Sequence, residues 1–240
     1  MDGHDPKLPR TPTPERERRD RILLASISAC TPREFWVGIR AGIVSAYRET
    51  HDANLNDARL LQQSHGFKTI SDRHFYSDKV LYDVSVEFGF ECFPEQIRIN
   101  RWRYAQAAFG PFTSIQKYCR SENDLPKPAD FRKKLARSGG IGIQADLLRP
   151  HLARVDEIMT YNGMLIHGPL SRSFRSPDFR DVGFICFAIP YDDYSEWGAV
   201  FSIDKLIAEC KSQGKGSGQG ADSGERVPAP LWKKRPEQEE

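Results

Sequence analysis

The chain of 240 residues has no run of 18 apolar residues, so nothing in it has the length of a membrane span. Its first 30 residues place no apolar core behind a basic start, which argues against a secretory leader. Cysteine is sparse and odd in number. Cys30, Cys92, Cys119, Cys186 and Cys210 stand far apart with no CxxC pair, a pattern that suits reduced core thiols in a cytosol-like compartment. The six histidines show no HxH or HExxH spacing, so no metal centre is expected. A GxSxG nucleophile elbow is missing as well. Gly139-Gly140-Ile141-Gly142 lacks the Lys-Ser/Thr of a phosphate loop and reads as a helix end plus turn. No cofactor is implied.

Apolar residues are also scarce, at 39%, and the shortage is uneven. Residues 1–20 hold four prolines and the charge run RTPTPERERRD; residues 211–240 are Gly/Ser-rich and then Pro-rich and charged. Neither stretch carries enough apolar surface to offset its ordering entropy, so both read as disordered tails around a single domain at residues 21–210. Net charge is only +2, yet it is divided. Residues 98–149 carry eleven Lys/Arg against four Asp/Glu, while residues 22–97 and 150–210 are both acidic. A basic middle of this kind suits an acidic protein partner or phosphate.

Glu15 to Ala29 reads as a helix. Thr31-Pro32-x-Glu34 reads as an N-cap and first turn, followed by an apolar stripe of Phe35, Ile39, Ile43 and Tyr47. Asn56 to Ser64 suggests a short helix closed by Gly66, and residues 72–86 a further helix. From Glu87 the pattern turns to strands: EFGFECF broken by Pro94, then QIRINRWRY, a turn at FGPF, and Thr113 to Tyr118. A basic helix follows at Asp130 to Arg137, then a helical stretch at Ala145 to Thr160. Strands follow near Met164 to His167, Val182 to Ile189 and Gly198 to Ser202, with Asp204 capping a last helix. The longest apolar run, DVGFICFAIP at 181–190, has the composition of a fully buried strand. The fold class is α+β: N-terminal helices, then a mixed, mostly antiparallel sheet with a helical insertion.

Two constellations carry candidate chemistry. Arg98, Arg101 and Arg103 interleave with Trp102 and Tyr104, and Lys117, Tyr118 and Arg120 follow. Cations meet phosphate and rings stack on bases, so this is either a nucleic-acid or partner surface or a solvated sheet face. After the buried run, Asp192, Asp193 and Glu196 alternate with Tyr191, Tyr194 and Trp197. Paired carboxylates beside rings are the composition of a sugar site, with carboxylates for acid/base work and rings for the sugar face. The same residues also suit an ordinary strand connection.

Several short blocks, in order, resemble the RolB/RolC-like (plast) family, the T-DNA oncoproteins of Agrobacterium-type plant growth modulators. They are Phe35-x-x-Gly38-Ile39-Arg40 leading to Tyr47-Arg48, Phe93-Pro94-x-x-Ile97-Arg98-Ile99 and Phe109-Gly110-x-x-Thr113-Ser114-Ile115. Gly139-Gly140, Gly168-Pro169 and Phe187-Ala188-Ile189-Pro190 complete the series. The resemblance implies a modulator of growth and hormone response inside the host plant cell, cytoplasmic or nuclear and not secreted, that binds host plant proteins. It also implies the family's glucosidase activity on glycosylated hormones, with Asp192, Asp193 and Glu196 as the local candidates. Some members resemble ADP-ribosyltransferases in fold; the ExE or QxE pair which that chemistry wants ahead of the last core strands is missing there, and the strongly acidic tail of some members is missing too. Lys233-Lys234-Arg235 is a short basic cluster of nuclear-import type.

Overall fold

The computed structural model describes residues 13–61, 64–96, 103–141 and 160–211. Lys233-Lys234-Arg235 and most of the helical stretch expected at Ala145 to Thr160 lie outside them. The chain is α+β as expected: five helices and a six-stranded mixed sheet among the described residues.

Helix α1, Pro14–Cys30, begins inside the stretch read as a tail. Thr13 caps it by accepting from the Arg16 amide, Pro14 supplies a preset first turn, and Glu15 and Glu17 face the positive end of the helix dipole. Pro32 prevents its continuation, and α2, Arg33–Leu55, starts at once. Thr31 does not cap α2, contrary to the sequence reading. Its hydroxyl donates to the Ile27 carbonyl and accepts from the Trp36 indole, both at 2.8 Å, fixing the corner between the helices from within the core. The apolar stripe of α2 is buried as its spacing predicts, with Phe35, Ile39, Ile43 and Tyr47 all fully covered.

Asn56–Ser64 forms turns rather than a helix over its described part, and Gly66 lies in the first turn of α3, His65–Glu87. α3 packs along α2 because Gly42 leaves room for Val80: a Cβ there would stand 2.5 Å from a Val80 methyl. α3 ends in a left-handed glycine. Gly89 has φ +73, its amide reaches the Val86 carbonyl, and the Phe90 amide reaches that of Ser85.

The strands follow in chain order across the sheet: β1 Glu91–Gln96, β2 Arg103–Phe109, β3 Phe112–Tyr118, β4 Tyr161–Pro169, β5 Val182–Pro190 and β6 Trp197–Ser202. All neighbours are antiparallel except β3 and β4, whose parallel pairing needs the crossover that contains α4, Asp130–Gly139. Pro94 does not break its strand. It pairs with Ala105 inside β1, an edge strand where a missing N–H need cost no ladder bond. DVGFICFAIP is indeed the buried strand, with Ile185 to Pro190 covered without interruption between β4 and β6. The last helix, α5 Ile203–Glu209, is capped by Ser202 rather than Asp204.

One sheet face lies under α1, α2, α3 and α5, and its core centres on a cluster of tilted and edge-to-face rings. Phe187 meets Phe109, Phe112 and Trp36 with centroids 5.7 to 6.1 Å apart. The opposite face carries a smaller cluster of Ile115, Met164, Ile166 and Trp197 with Ala136 of α4. Burying both faces gives β4 and β5 their near-continuous apolar character.

Candidate partner-binding cleft

The connection between β4 and β5 folds back over the junction of α2 and α3, and a cleft of about 1230 Å³ lies between them. Local chemistry shapes that connection. Its base closes where the Leu170 amide donates to the Asp181 carbonyl at 2.9 Å. Ser176 accepts from the Asp178 amide and starts the 3-10 turn Pro177–Arg180. Two rings anchor the loop: Phe174 and Phe179 meet edge to face at 5.4 Å, and His51 of α2 packs against Phe174 at 5.5 Å. Gly66 permits the approach, since a Cβ there would stand 3.3 Å from that of Phe174.

The loop brings three arginines to the cleft. Arg180 is taken, holding Asp52 bidentately at 2.6 and 2.9 Å and drawing that carboxyl below its ordinary pKa. Arg48 of α2 similarly reaches Asp181 at 3.3 Å. Arg172 and Arg175 are exposed and make no hydrogen bond or ion pair among the described residues. Beside them the cleft offers uncovered apolar groups: Phe67 is 79% exposed and Leu61 70%. Unpaired guanidinium forks next to exposed rings suit a ligand that is anionic and apolar at once.

Behind the cleft wall the protein is rigidly cross-linked by buried polar groups. Arg73 of α3 is fully covered, its guanidinium between the rings of Tyr47 and Phe179 at 4.1 and 4.3 Å, and it donates to the Phe179 carbonyl at 2.6 Å. Burial without a carboxylate pulls its pKa down to about 10, so it remains cationic at neutral pH. Next to it runs a directional chain. Gln116 Oε1 can only accept, so His167 Nε2 donates to it at 2.9 Å; His167 Nδ1 is then the acceptor for the Tyr47 hydroxyl at 2.8 Å. The Gln116 amide donates to His74 Nδ1 at 2.6 Å, which leaves the His74 Nε2–H facing Asp78 at 4.0 Å. Burial holds both imidazoles neutral, lowering His167 to about 3 and His74 to about 4, and pushes Asp78 up to about 6. The chain ties α2, α3, β3 and β4 together and positions the elements that form the cleft.

The residues singled out in the sequence lie elsewhere. Tyr191 to Trp197 closes the β5–β6 hairpin. Tyr191 and Glu196 bond through their backbones at 3.0 Å, and Tyr194 adopts the left-handed φ of 59. Tyr194 and Trp197 are buried, with the Tyr194 hydroxyl donating to the Pro126 carbonyl at 3.1 Å. Asp193 is exposed and accepts from the Ser195 amide at 2.9 Å, whereas Asp192 and Glu196 are half-buried. None of the seven lines the cleft. Thr113 donates to Asn162, which in turn donates to the Leu135 carbonyl and so ties α4 to the sheet. Arg103 opens β2, while Arg98 and Arg101 fall outside the described residues. The cleft arginines escape sequence reasoning because residues 150–210 are acidic on average. The signal is local: Arg172, Arg175 and Arg180 recur with Phe174 and Phe179 in one short serine-rich segment.

Among the described residues no cluster of His, Cys, Asp or Glu could hold a metal, and no helix is long and apolar enough to cross a membrane. No protein family profile, curated protein or solved structure matches this chain.

Proposed function

We propose that this chain acts by binding, and that its cleft docks an extended segment of a partner protein carrying acidic and apolar side chains. The observation that carries the reading is the pair of unpartnered arginines, Arg172 and Arg175, set beside the exposed Phe67 and Leu61. A small molecule prefers a pocket of roughly 300–1,000 Å³ that covers most of its surface. At about 1230 Å³ this cleft is larger, with room for an extended peptide segment. Acidic side chains complement the guanidiniums, and rings or aliphatic groups cover the apolar floor.

The RolB/RolC resemblance supplies the setting. In it the partner is a host plant protein met in the cytoplasm or nucleus, and the consequence is altered growth and hormone response. Fluorescence anisotropy with a labelled peptide alternating acidic and aromatic residues tests the docking. Arg172→Glu with Arg175→Glu should weaken binding at least about tenfold, and added salt should weaken wild-type binding. Unchanged affinity in the double variant would refute the reading.

A further inference from the structure

The cleft loop reads Leu170-Ser171-Arg172-Ser173-Phe174-Arg175-Ser176-Pro177. Serine followed by proline is the substrate pattern of proline-directed protein kinases, which take their substrates extended, and Ser176 is extended at φ −78 and ψ 136. The chain has three other such sites, at Thr11, Thr13 and Thr31. Thr31 is buried and its hydroxyl is committed to Ile27 and Trp36. Thr13 caps α1, and Thr11 lies outside the described residues. Ser176 differs from all of these in its surroundings. It adjoins Arg175 and follows Arg172 by four residues, on the loop where both guanidiniums lack a partner. Among the described residues its hydroxyl is held only by the 3.3 Å contact from the Asp178 amide.

We propose that Ser176 is a phosphorylation site and that its phosphate is captured by Arg172 and Arg175, occupying the cleft in cis. In the transfer, the Ser176 Oγ forms a bond to the γ-phosphorus of ATP and the bond from that phosphorus to the bridging oxygen breaks. ADP leaves, and the hydroxyl proton passes to the kinase's base. The product carries close to two negative charges and three strong acceptors, which a guanidinium fork binds bidentately. Arg172, Arg175 and Arg180 line the same cleft as Ser176, the last already paired with Asp52. Asp178 on the same turn opposes it, Asp181 is paired with Arg48, and His51 lies behind Phe174. The local balance favours the anion. A captured phosphate would remove the two cations a partner segment needs, a consequence that rests on the docking role proposed above; the modification and its capture do not.

The full chain, incubated with a proline-directed Ser/Thr kinase and ATP, should gain phosphate at Ser176 by tandem mass spectrometry, and Ser176→Ala should abolish it. In 31P NMR titration the second phosphoserine pKa should fall below its ordinary value of about 6, and return to it in Arg172→Ala/Arg175→Ala. The acidic–aromatic peptide should bind the phosphorylated chain at least about tenfold more weakly. Phosphate appearing on Thr11 or Thr13 but not Ser176 would overturn the site. A second pKa indifferent to the two arginines would overturn the capture. Equal peptide affinity with and without phosphate would overturn the switch. A peptide that never binds the unmodified chain would defeat the docking reading while leaving site and capture standing.

Discussion

Replacing Gln116 with leucine should expose how much the buried polar chain contributes to the fold. Gln116 is 3% exposed and is the link between His167 of β4 and His74 of α3. Leucine removes its acceptor and both its donors while keeping most of the volume. The His167 Nε2–H and the His74 Nδ1 then each lose the hydrogen bond to Gln116 in a site water cannot easily enter. Each unsatisfied buried group costs about 1–3 kcal/mol, so the gross loss is about 2–6 kcal/mol. Added apolar burial returns about 1–2 kcal/mol, leaving a net loss of about 1–4 kcal/mol. Equilibrium urea unfolding reads this as a midpoint lowered by about 0.5–2 M at an unchanged slope. A companion variant sharpens the test. Gln116→Glu still accepts from His167 but offers His74 Nδ1 nothing until that imidazole takes a proton. Its deficit against wild type should therefore shrink between pH 7 and pH 5. A loss below about 0.5 kcal/mol for Gln116→Leu, or a Gln116→Glu deficit indifferent to pH, would refute the chain as drawn.

Wild-type stability should fall as pH drops from about 6.5 to 4, because the unfolded chain protonates His74 and His167 near 6.5 while the folded chain resists to about 4 and about 3. Asp78 opposes this: it takes its proton near 6 when folded but near 3.8 when unfolded, so it regains stability across the same window. The net dependence below pH 6 is about one proton, or about 1.4 kcal/mol per pH unit, and His167→Gln should flatten it; denaturant titrations at stepped pH measure both. Gly110→Ala should lower the melting temperature markedly, since φ is +56 and the new Cβ would stand 2.3 Å from the Cys30 sulfur. Adding Cys30→Ala removes the sulfur but keeps the Cys30 Cβ at 2.9 Å from the new one, so it should recover part of the steric loss and leave at least about 1 kcal/mol of backbone strain. Arg73→Met should leave stability within about 1 kcal/mol of wild type or raise it, because the cation is buried without a carboxylate partner among the described residues. A loss of about 3–5 kcal/mol by calorimetry would instead mark a satisfied buried charge.

What the sequence made legible was local. The spacing of Phe35, Ile39, Ile43 and Tyr47, the apolar run ending at Pro190 and the turn at Gly110 each determine a conformation through their own neighbours. Thr31 misled because a hydroxyl before a helix can cap it or turn inward, and only the distant Trp36 decides which. Pro94 misled because tolerance of proline depends on β1 being an edge, a property of the whole sheet. The cleft was hidden for a related reason. Arg172 and Arg175 gain meaning only when Phe174 packs against Gly66 and His51, more than a hundred residues upstream. Gln116, His167, His74 and Asp78 are single polar residues in separate elements, and no spacing announces that they meet.

Occupation of the groove beneath the β4–β5 connection by a partner segment is tested most directly by amide chemical-shift mapping, with the acidic–aromatic peptide titrated into isotopically labelled protein. Perturbations should cluster at Phe67, His51 and Arg172 to Phe179, and be absent in Arg172→Glu/Arg175→Glu. Perturbations confined to the Tyr191–Trp197 turn, or to the exposed Phe75 and Tyr82 of α3, would contradict it.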